Sequence, residues 1–266
     1  DVHGYLPWDV RSEVGRALDA LRPDLVAFVR TEVWPVLAHE ARARGARLAL
    51  INAVLGDGSS RLGWGARFLL GPTYARLDAV GTVAEGDAGN FAELGVSADR
   101  IKVTGDARFD QVWRRVTALG DLEARLERPL LRRLHDAGVA TLVAGSTWPT
   151  DELRLASAFA RARTVSPFRL IIAPHEPTEE HLAGLERTLT GQGLEHARLA
   201  AVEETDGPLP EVVIVDRVGV LADLYGSGAI AYDAGAFHGA GLHSIGEPAA
   251  LGAPVLFGPR HGNARE

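Results

Sequence analysis

The residues best equipped for chemistry gather near the C-terminus, in the run Asp233 to Glu247, DAGAFHGAGLHSIGE. Its glycines at 235, 239, 241 and 246 leave backbone open to close approach by a ligand. His238, His243, Ser244 and Glu247 add polar groups. Glu247 heads a helix, where a carboxylate is well placed to accept two hydrogen bonds from a ribose diol. The same run also reads as a glycine-rich turn closed by a capping glutamate. Zinc held by His238 and His243 fits poorly, because their spacing matches no strong site pattern, and no metal or cofactor is expected. A second group is Gly145-Ser146-Thr147, read as a turn at a helix start. Backbone N–H groups and hydroxyls there hold phosphate without a metal, although small hydroxyl residues also serve as plain helix caps. His175 and Glu176 sit between a strand and a helix. The histidine suits a phosphate and the glutamate suits hydroxyls, unless both belong to a solvated loop. Glu32, in Thr31-Glu32-Val33-Trp34-Pro35, either caps its helix or faces an acceptor.

The elements that must position these residues alternate. Pro23 to Val29 (PDLVAFV) reads as a buried parallel strand, preceded by a helix over Val10–Leu21 and followed by one over Glu32–Arg44. Arg47–Asn52 is the next strand, giving a βαβ unit. Strands at Ala79–Val83 and Arg100–Gly105 enclose a helix at Asp87–Leu94, and a charged helical segment runs from Phe109 to His135. The alternation restarts with strands at Val139–Ala144, Phe168–Ala173, Glu211–Asp216, Ala229–Tyr232 and Pro254–Gly258. Helices fall between them at Thr150–Arg163, Thr178–Leu189, Val220–Tyr225 and from Glu247. Acids in the first turn of the Thr150 helix complement its dipole. The expected fold class is therefore α/β, in two Rossmann-like doubly wound domains, with the domain change inside the charged segment at 1–125 and 126–266. In open parallel sheets ligands bind beyond the carboxyl ends of the strands, which is where the polar groups above fall.

At 266 residues, 46% hydrophobic and 24% charged, the chain is an ordinary globular sequence of two-domain size. With no cysteine, disulfides, thiolate metal sites and thiol catalysis are excluded. The net charge of −7 is uneven: residues 1–120 carry 15 basic and 15 acidic groups, so the deficit lies wholly in the rest. Nothing resembles a nucleic-acid footprint. No stretch is apolar for long enough to span a bilayer, and the opening residues do not read as a signal peptide. Ten arginines against seven acids over residues 11–80, with GWGARFLL at Gly63–Leu70, suit a face resting on an anionic membrane. The alternative is an arginine-bearing helix packed on its own domain. The start at Asp1, the absence of Met and the abrupt end in HGNARE read as part of a longer protein.

Eight segments, in order over nearly the whole chain, resemble the 3-deoxy-D-manno-octulosonic acid (Kdo) transferases of lipid A glycosylation. They are YLPWD (Tyr5–Asp9), RPDLVAFVRTEVWP (Arg22–Pro35), LINA (Leu50–Ala53) and VTGDARFD (Val103–Asp110), then AGSTWPTDE (Ala144–Glu152), IIAPHEP (Ile171–Pro177), VDRVGVLADLY (Val215–Tyr225) and the long closing block Ala234–Glu266. The resemblance implies a metal-independent, inverting glycosyltransferase of the GT-B type, its two domains facing a cleft. The donor would be CMP-Kdo and the acceptor a lipid A precursor, at the cytoplasmic face of the inner membrane, with peripheral contact through the N-terminal domain. It places Gly145, Ser146 and Thr147 at the donor phosphate with His175 and Glu176 beside them, and Val218 and Gly219 by the cytosine. His243, Ser244 and Glu247 would hold the sugar nucleotide, Glu247 on the ribose, and Glu32 would serve the acceptor side.

Three departures stand out. His175-Glu176 replaces a common Arg-His pair, and Ser244 a common asparagine. The family's general-base glutamate would lie upstream of residue 1, and its closing helices beyond residue 266, so the catalytic base is not assigned within this chain. Two other readings stay open: a GT-B transferase or epimerase using a UDP-sugar, and a non-catalytic binding protein derived from the family.

Overall fold

The computed structural model describes residues 3–237, 241, 242 and 245–262. It divides into two compact units, 1–108 and 109–266. The first contains α1 (Arg11–Leu21), β1 (Leu25–Val29), α2 (Pro35–Ala43), β2 (Arg47–Ala53), α3 (Trp64–Tyr74), β3 (Ala79–Thr82), α4 (Glu85–Glu93) and β4 (Ile101–Val103). Its four strands are parallel and lie in chain order, β1-β2-β3-β4. Leu48, Leu50, Tyr74, Leu77, Phe91 and Leu94, all at most 1% exposed, fill the core between the sheet and its helices. Each such side chain contributes about 1.5–3 kcal/mol by leaving water. On the other face of the same strands, Leu25, Val29 and Ile51 are half exposed. Buried polar groups tie the loops down. Asp87, at the head of α4, accepts from the amides of Leu55 at 2.7 Å and Ala84 at 3.1 Å. The Tyr74 hydroxyl donates to the carbonyl of Thr31 at 2.9 Å, which fixes the turn carrying Glu32.

The charged segment expected as one long helical stretch is three helices, α5 (Ala107–Ala118), α6 (Leu122–Leu126) and α7 (Pro129–Asp136). Gly120, at φ +73°, and Pro129, at the first turn of α7, break it. The division between units falls near its start, not at residue 125. The physical reason is that α5 and α6 are tied to the second unit, Arg115 through its ion pair with Glu247 and Arg125 through a 3.2 Å hydrogen bond to the Gly226 carbonyl.

The second unit continues with β5 (Thr141–Thr147), α8 (Pro149–Ala162), β6 (Arg169–Pro174), α9 (Glu179–Gly191), β7 (His196–Arg198), α10 (Leu199–Glu203), β8 (Val212–Ile214), α11 (Leu221–Tyr225), β9 (Ile230–Asp233), α12 (Gly246–Ala250) and β10 (Val255–Phe257). All six strands are parallel, in the order β10-β9-β5-β6-β8-β7. Successive residues of β5 and β6 enter opposite clusters. Ala144 and Ile172 pack with Ala156, Phe159, Leu182, Leu185 and Leu189 of α8 and α9. Val143 and Ile171 pack with α7, α10 and α11 through Leu131, Leu199, Leu224 and Tyr225. Covering both faces explains why β6 reads as an unbroken apolar run. The sheet is doubly wound, with β6, β8 and β7 to one side of β5 and β9 and β10 to the other. The strand order therefore reverses between β5 and β9, and the crevice beyond their carboxyl ends is where such sheets bind ligands.

Candidate functional site

At this crevice the structure corrects the reading of Gly145-Ser146-Thr147 as a turn at a helix start. All three belong to β5, and the turn begins only at Trp148. Pairing with β6 shifts register between Gly145, opposite Ala173, and Thr147, opposite Pro174. Ser146 occupies the resulting bulge with φ +53°, a conformation that side-chain-bearing residues seldom adopt and that costs of order 1–3 kcal/mol. The bulge re-aims the serine while Thr147 stays fully buried. Gly145 is required for a different reason. A Cβ there would lie 1.9 Å from the Tyr225 hydroxyl oxygen and 2.9 Å from Leu221 Cδ2.

The neighbouring strand ends are tied to this bulge through backbone. The His175 amide donates to the Thr147 carbonyl at 2.9 Å, and the Ala234 amide to the Gly145 carbonyl at 3.2 Å. The His175 ring stacks on Trp148, with centroids 4.9 Å apart and planes inclined by 24°. The Glu176 side chain is exposed. Its backbone carbonyl is the occupied group, accepting from the Thr178 amide at 2.8 Å and meeting His181 Nδ1 at 3.0 Å.

Two carboxylates in the first turn of α8 tie the ends of β5 and β9 to each other and to α9, and sequence reading assigned them only to the helix dipole. Asp151 accepts from the Tyr232 hydroxyl at 2.8 Å, and from the amides of Gly235 and Trp148, both at 3.3 Å. It thereby joins β9 and its glycine loop to the β5 turn. Glu152 accepts from the Thr147 hydroxyl at 2.8 Å and meets His181 Nε2 at 2.9 Å, joining β5 to α9. Burial pushes the Glu152 carboxyl above the ordinary glutamate range, while the Thr147 hydroxyl and the His181 ring pull it back. Burial also pushes the phenols of Tyr225 and Tyr232 well up, with nearby carboxylates adding to it, so both stay neutral donors. The signal in the sequence was two acids directly after a strand-end Thr-Trp-Pro-Thr. Besides Thr147 and Trp148 close by, their partners lie 29 to 84 residues away along the chain.

Glu247, expected on the ribose, lies in α12 and forms an ion pair with Arg115 of α5; its side chain is 18% exposed. Its charge, with that of Asp233, acts on Tyr225, whose hydroxyl abuts Gly145, so Glu247 belongs to the same neighbourhood as the bulge. Arg115 was not anticipated. Val218 and Gly219 follow the carboxyl end of β8 in a turn. Val218 is 78% exposed and Gly219 has φ +90°, which favours glycine there. His238, His243 and Ser244 lie outside the described residues. Glu32 belongs to the first unit, exposed after β1, with Arg61 at 3.6 Å. Thus the structure brings Gly145, Ser146, Thr147 and His175 into one constellation, with Glu247 close by. It puts Glu176, Val218 and Gly219 on the same end of the sheet. Among the described residues, no three His, Asp or Glu side chains group so as to hold a metal ion.

The contact between Gly145 and Tyr225 is directly testable. Gly145→Ala should cost about 1–3 kcal/mol of stability in chemical denaturation, as overpacking does. Adding Tyr225→Phe, which removes the clashing oxygen, should recover about half of that loss in a double-mutant cycle. Strict additivity of the two substitutions would contradict the contact.

Residues 1–111 match the family model described as 3-deoxy-D-manno-octulosonic-acid transferase (kdotransferase). The chain is 28% identical over 268 residues to the 3-deoxy-D-manno-octulosonic acid transferase of Bordetella pertussis, covering 98% of this chain and 59% of that protein. It is 25% identical over 255 residues to a bifunctional glycosyltransferase/methyltransferase of Fusobacterium nucleatum, covering 96% of this chain and 38% of that protein. The chain thus spans well under two thirds of either relative. Among solved structures, it is similar to UDP-GlcNAc 2-epimerase from Neisseria meningitidis bound to UDP-GlcNAc. The TM-score is 0.56 at 15% identity, over 92% of this chain and 62% of that one. That likeness speaks to the fold, two Rossmann-like units in tandem as in the GT-B type. The family model covers the first unit, and the alignments with 3-deoxy-D-manno-octulosonic acid transferases run on through the second, so both units are similar to proteins of that kind.

Proposed function

We propose that this protein is a glycosyltransferase that moves Kdo, or a similar acidic sugar, from its CMP donor to a lipid A precursor, with inversion and without a metal ion. One observation carries the reading: the motif residues of three strands converge at the point where the strand order of the second unit reverses. In the reaction the bond from the anomeric carbon to the phosphate oxygen breaks, and its electron pair leaves with CMP. The acceptor oxygen bonds to the opposite face of that carbon and its proton passes to a base. The resemblance gives that base to a glutamate preceding Asp1. The leaving phosphate gains negative charge, and preorganised donors stabilise such charge best. The bulge at Ser146 and the ring of His175 supply donors on this reading, Glu247 takes the ribose diol, and Glu32 serves the acceptor. Because Arg115 already neutralises Glu247, nucleotide entry requires the pair to open or to accept the diol alongside it.

Calorimetric titration in the presence of a chelator tests the donor assignment. CMP should bind saturably and UMP at least about tenfold more weakly, a difference of about 1.4 kcal/mol. Glu247→Ala should weaken CMP by a further tenfold or about that. Preference for UMP would favour a UDP-sugar enzyme instead. Binding of neither nucleotide would overturn the donor assignment.

We also propose that α3 rests on an anionic membrane. Trp64, Phe68 and Leu69 are 87%, 75% and 73% exposed, with Arg61 and Arg67 beside them. The contact proposed is peripheral, at the cytoplasmic face of the inner membrane; no helix among the described residues is long and apolar enough to cross a membrane. Co-sedimentation with phosphatidylglycerol vesicles should fall about tenfold or more when Trp64 and Phe68 are both replaced by Ala. Unchanged sedimentation would remove α3 from the account.

A further inference from the structure

Glu152 and His181 form a hydrogen-bond system whose proton count is fixed by its geometry. A backbone carbonyl only accepts, so the 3.0 Å contact from His181 Nδ1 to the Glu176 carbonyl places a proton on Nδ1. The 2.9 Å contact between Nε2 and Glu152 Oε1 then needs one proton between them. That proton sits either on a neutral carboxyl or on an imidazolium, and in both cases the pair is neutral overall. Its environment is nearly closed, with the Glu152 side chain 3% and the His181 side chain 15% exposed. The Thr147 hydroxyl, at 2.8 Å, completes the set on β5. The remaining charged groups nearby are Asp151, next to Glu152 on α8, and Glu180 and Arg187, which line the same cavity from α9.

We propose that Glu152 and His181 act as a proton-sharing latch, holding the β6–α9 loop with His175 against the β5 bulge, and that donor binding needs the latch closed. Glu152 and His181 are positioning residues here, acting on ligand only through Thr147, His175 and the loop backbone. The inference rests on the donor site proposed above. With one proton the latch is closed. When that proton is lost, a buried carboxylate faces an imidazole lone pair, and the hydrogen bond between Glu152 and His181 is gone. Burial raises the Glu152 carboxyl. A raised acid contributes its stabilisation below its ordinary range and loses it as pH rises through the shifted value, so the latch opens on the alkaline side.

The test compares the whole chain with Glu152→Gln, Glu152→Ala and His181→Ala, first without ligand. Amide hydrogen exchange of residues 145–150 and 174–178 is followed across about pH 6 to 9, corrected for intrinsic exchange. In the parent protein, protection of both segments should fall together as pH rises. Both contacts fall on Glu152 Oε1; an amide nitrogen at that position donates one N–H to Nε2 and the other to the Thr147 hydroxyl oxygen, so Glu152→Gln should regain the protection that Glu152→Ala loses and remove the pH dependence. At the acid end of the range, where the parent latch is closed, Glu152→Ala and His181→Ala should be less protected by about tenfold, as for loss of a buried hydrogen bond, and the difference should shrink as pH rises. CMP affinity should follow the same order. An alkaline loss that persists in Glu152→Gln would overturn the latch, and so would unchanged protection in His181→Ala. If circular dichroism shows that His181→Ala does not fold, the comparison of Glu152→Gln with the parent decides alone. CMP binding indifferent to all three substitutions would also overturn the proposal. Protection that follows the predicted order in a protein that binds no CMP would sink the donor assignment while leaving the latch itself standing.

Discussion

A buried carboxyl group without partners costs several kcal/mol, and the first turn of α8 buries two in succession, Asp151 at 1% and Glu152 at 3% exposure. Their partners come from β5, β9, the loop after β9, and α9. Satisfying the two acids therefore fixes the relative positions of segments far apart in sequence. The helix dipole favours acids at this position, but that term is small beside the requirement for hydrogen bonds. Once Asp151 and Glu152 are satisfied, the ends of β5, β6 and β9 meet at the reversal of strand order.

Around that frame the chain departs from regular structure where a ligand would approach. Ser146 takes a left-handed conformation within a strand, and Gly145 gives up its side chain to the Tyr225 hydroxyl. Strain of this kind persists only where the surroundings over-determine it, and the doubly covered sheet provides such surroundings. The first unit shows the opposite distribution. Its sheet is packed on one face and leaves Leu25, Val29 and Ile51 half exposed on the other, and its helix α3 presents Trp64, Phe68 and Leu69 outward.

The alternation of strands and helices was legible because its signals are local. Apolar runs such as Leu170 to Ala173 and helical spacing such as Leu182, Leu185 and Leu189 survive any rearrangement of neighbours. β7 and α10, three and five residues long, were not read, since so short a segment shows no period. The fold class, and the likeness to the 3-deoxy-D-manno-octulosonic acid transferases, followed from patterns and motifs spread over the whole chain. The chemistry of the site was legible only in part. Ser146, Thr147, His175 and Glu247 could be picked out by type and place. The burial of Glu152, its link to His181, and the pairing of Arg115 with Glu247 across 132 residues depend on contacts that no local pattern encodes. The bulge was read as a turn for the same reason: pairing with β6, not the Gly-Ser-Thr triplet itself, keeps those residues in the strand.

If the reversal of strand order in the second unit is a nucleotide site, backbone amide NMR shifts followed during a CMP titration should move there. The largest perturbations are expected at Gly145, Ser146, Thr147, His175, Glu176 and Gly235. Perturbations confined to the β1–α2 turn of the first unit, or spread over the outer surfaces of α8 and α9 with the strand ends silent, would contradict that assignment.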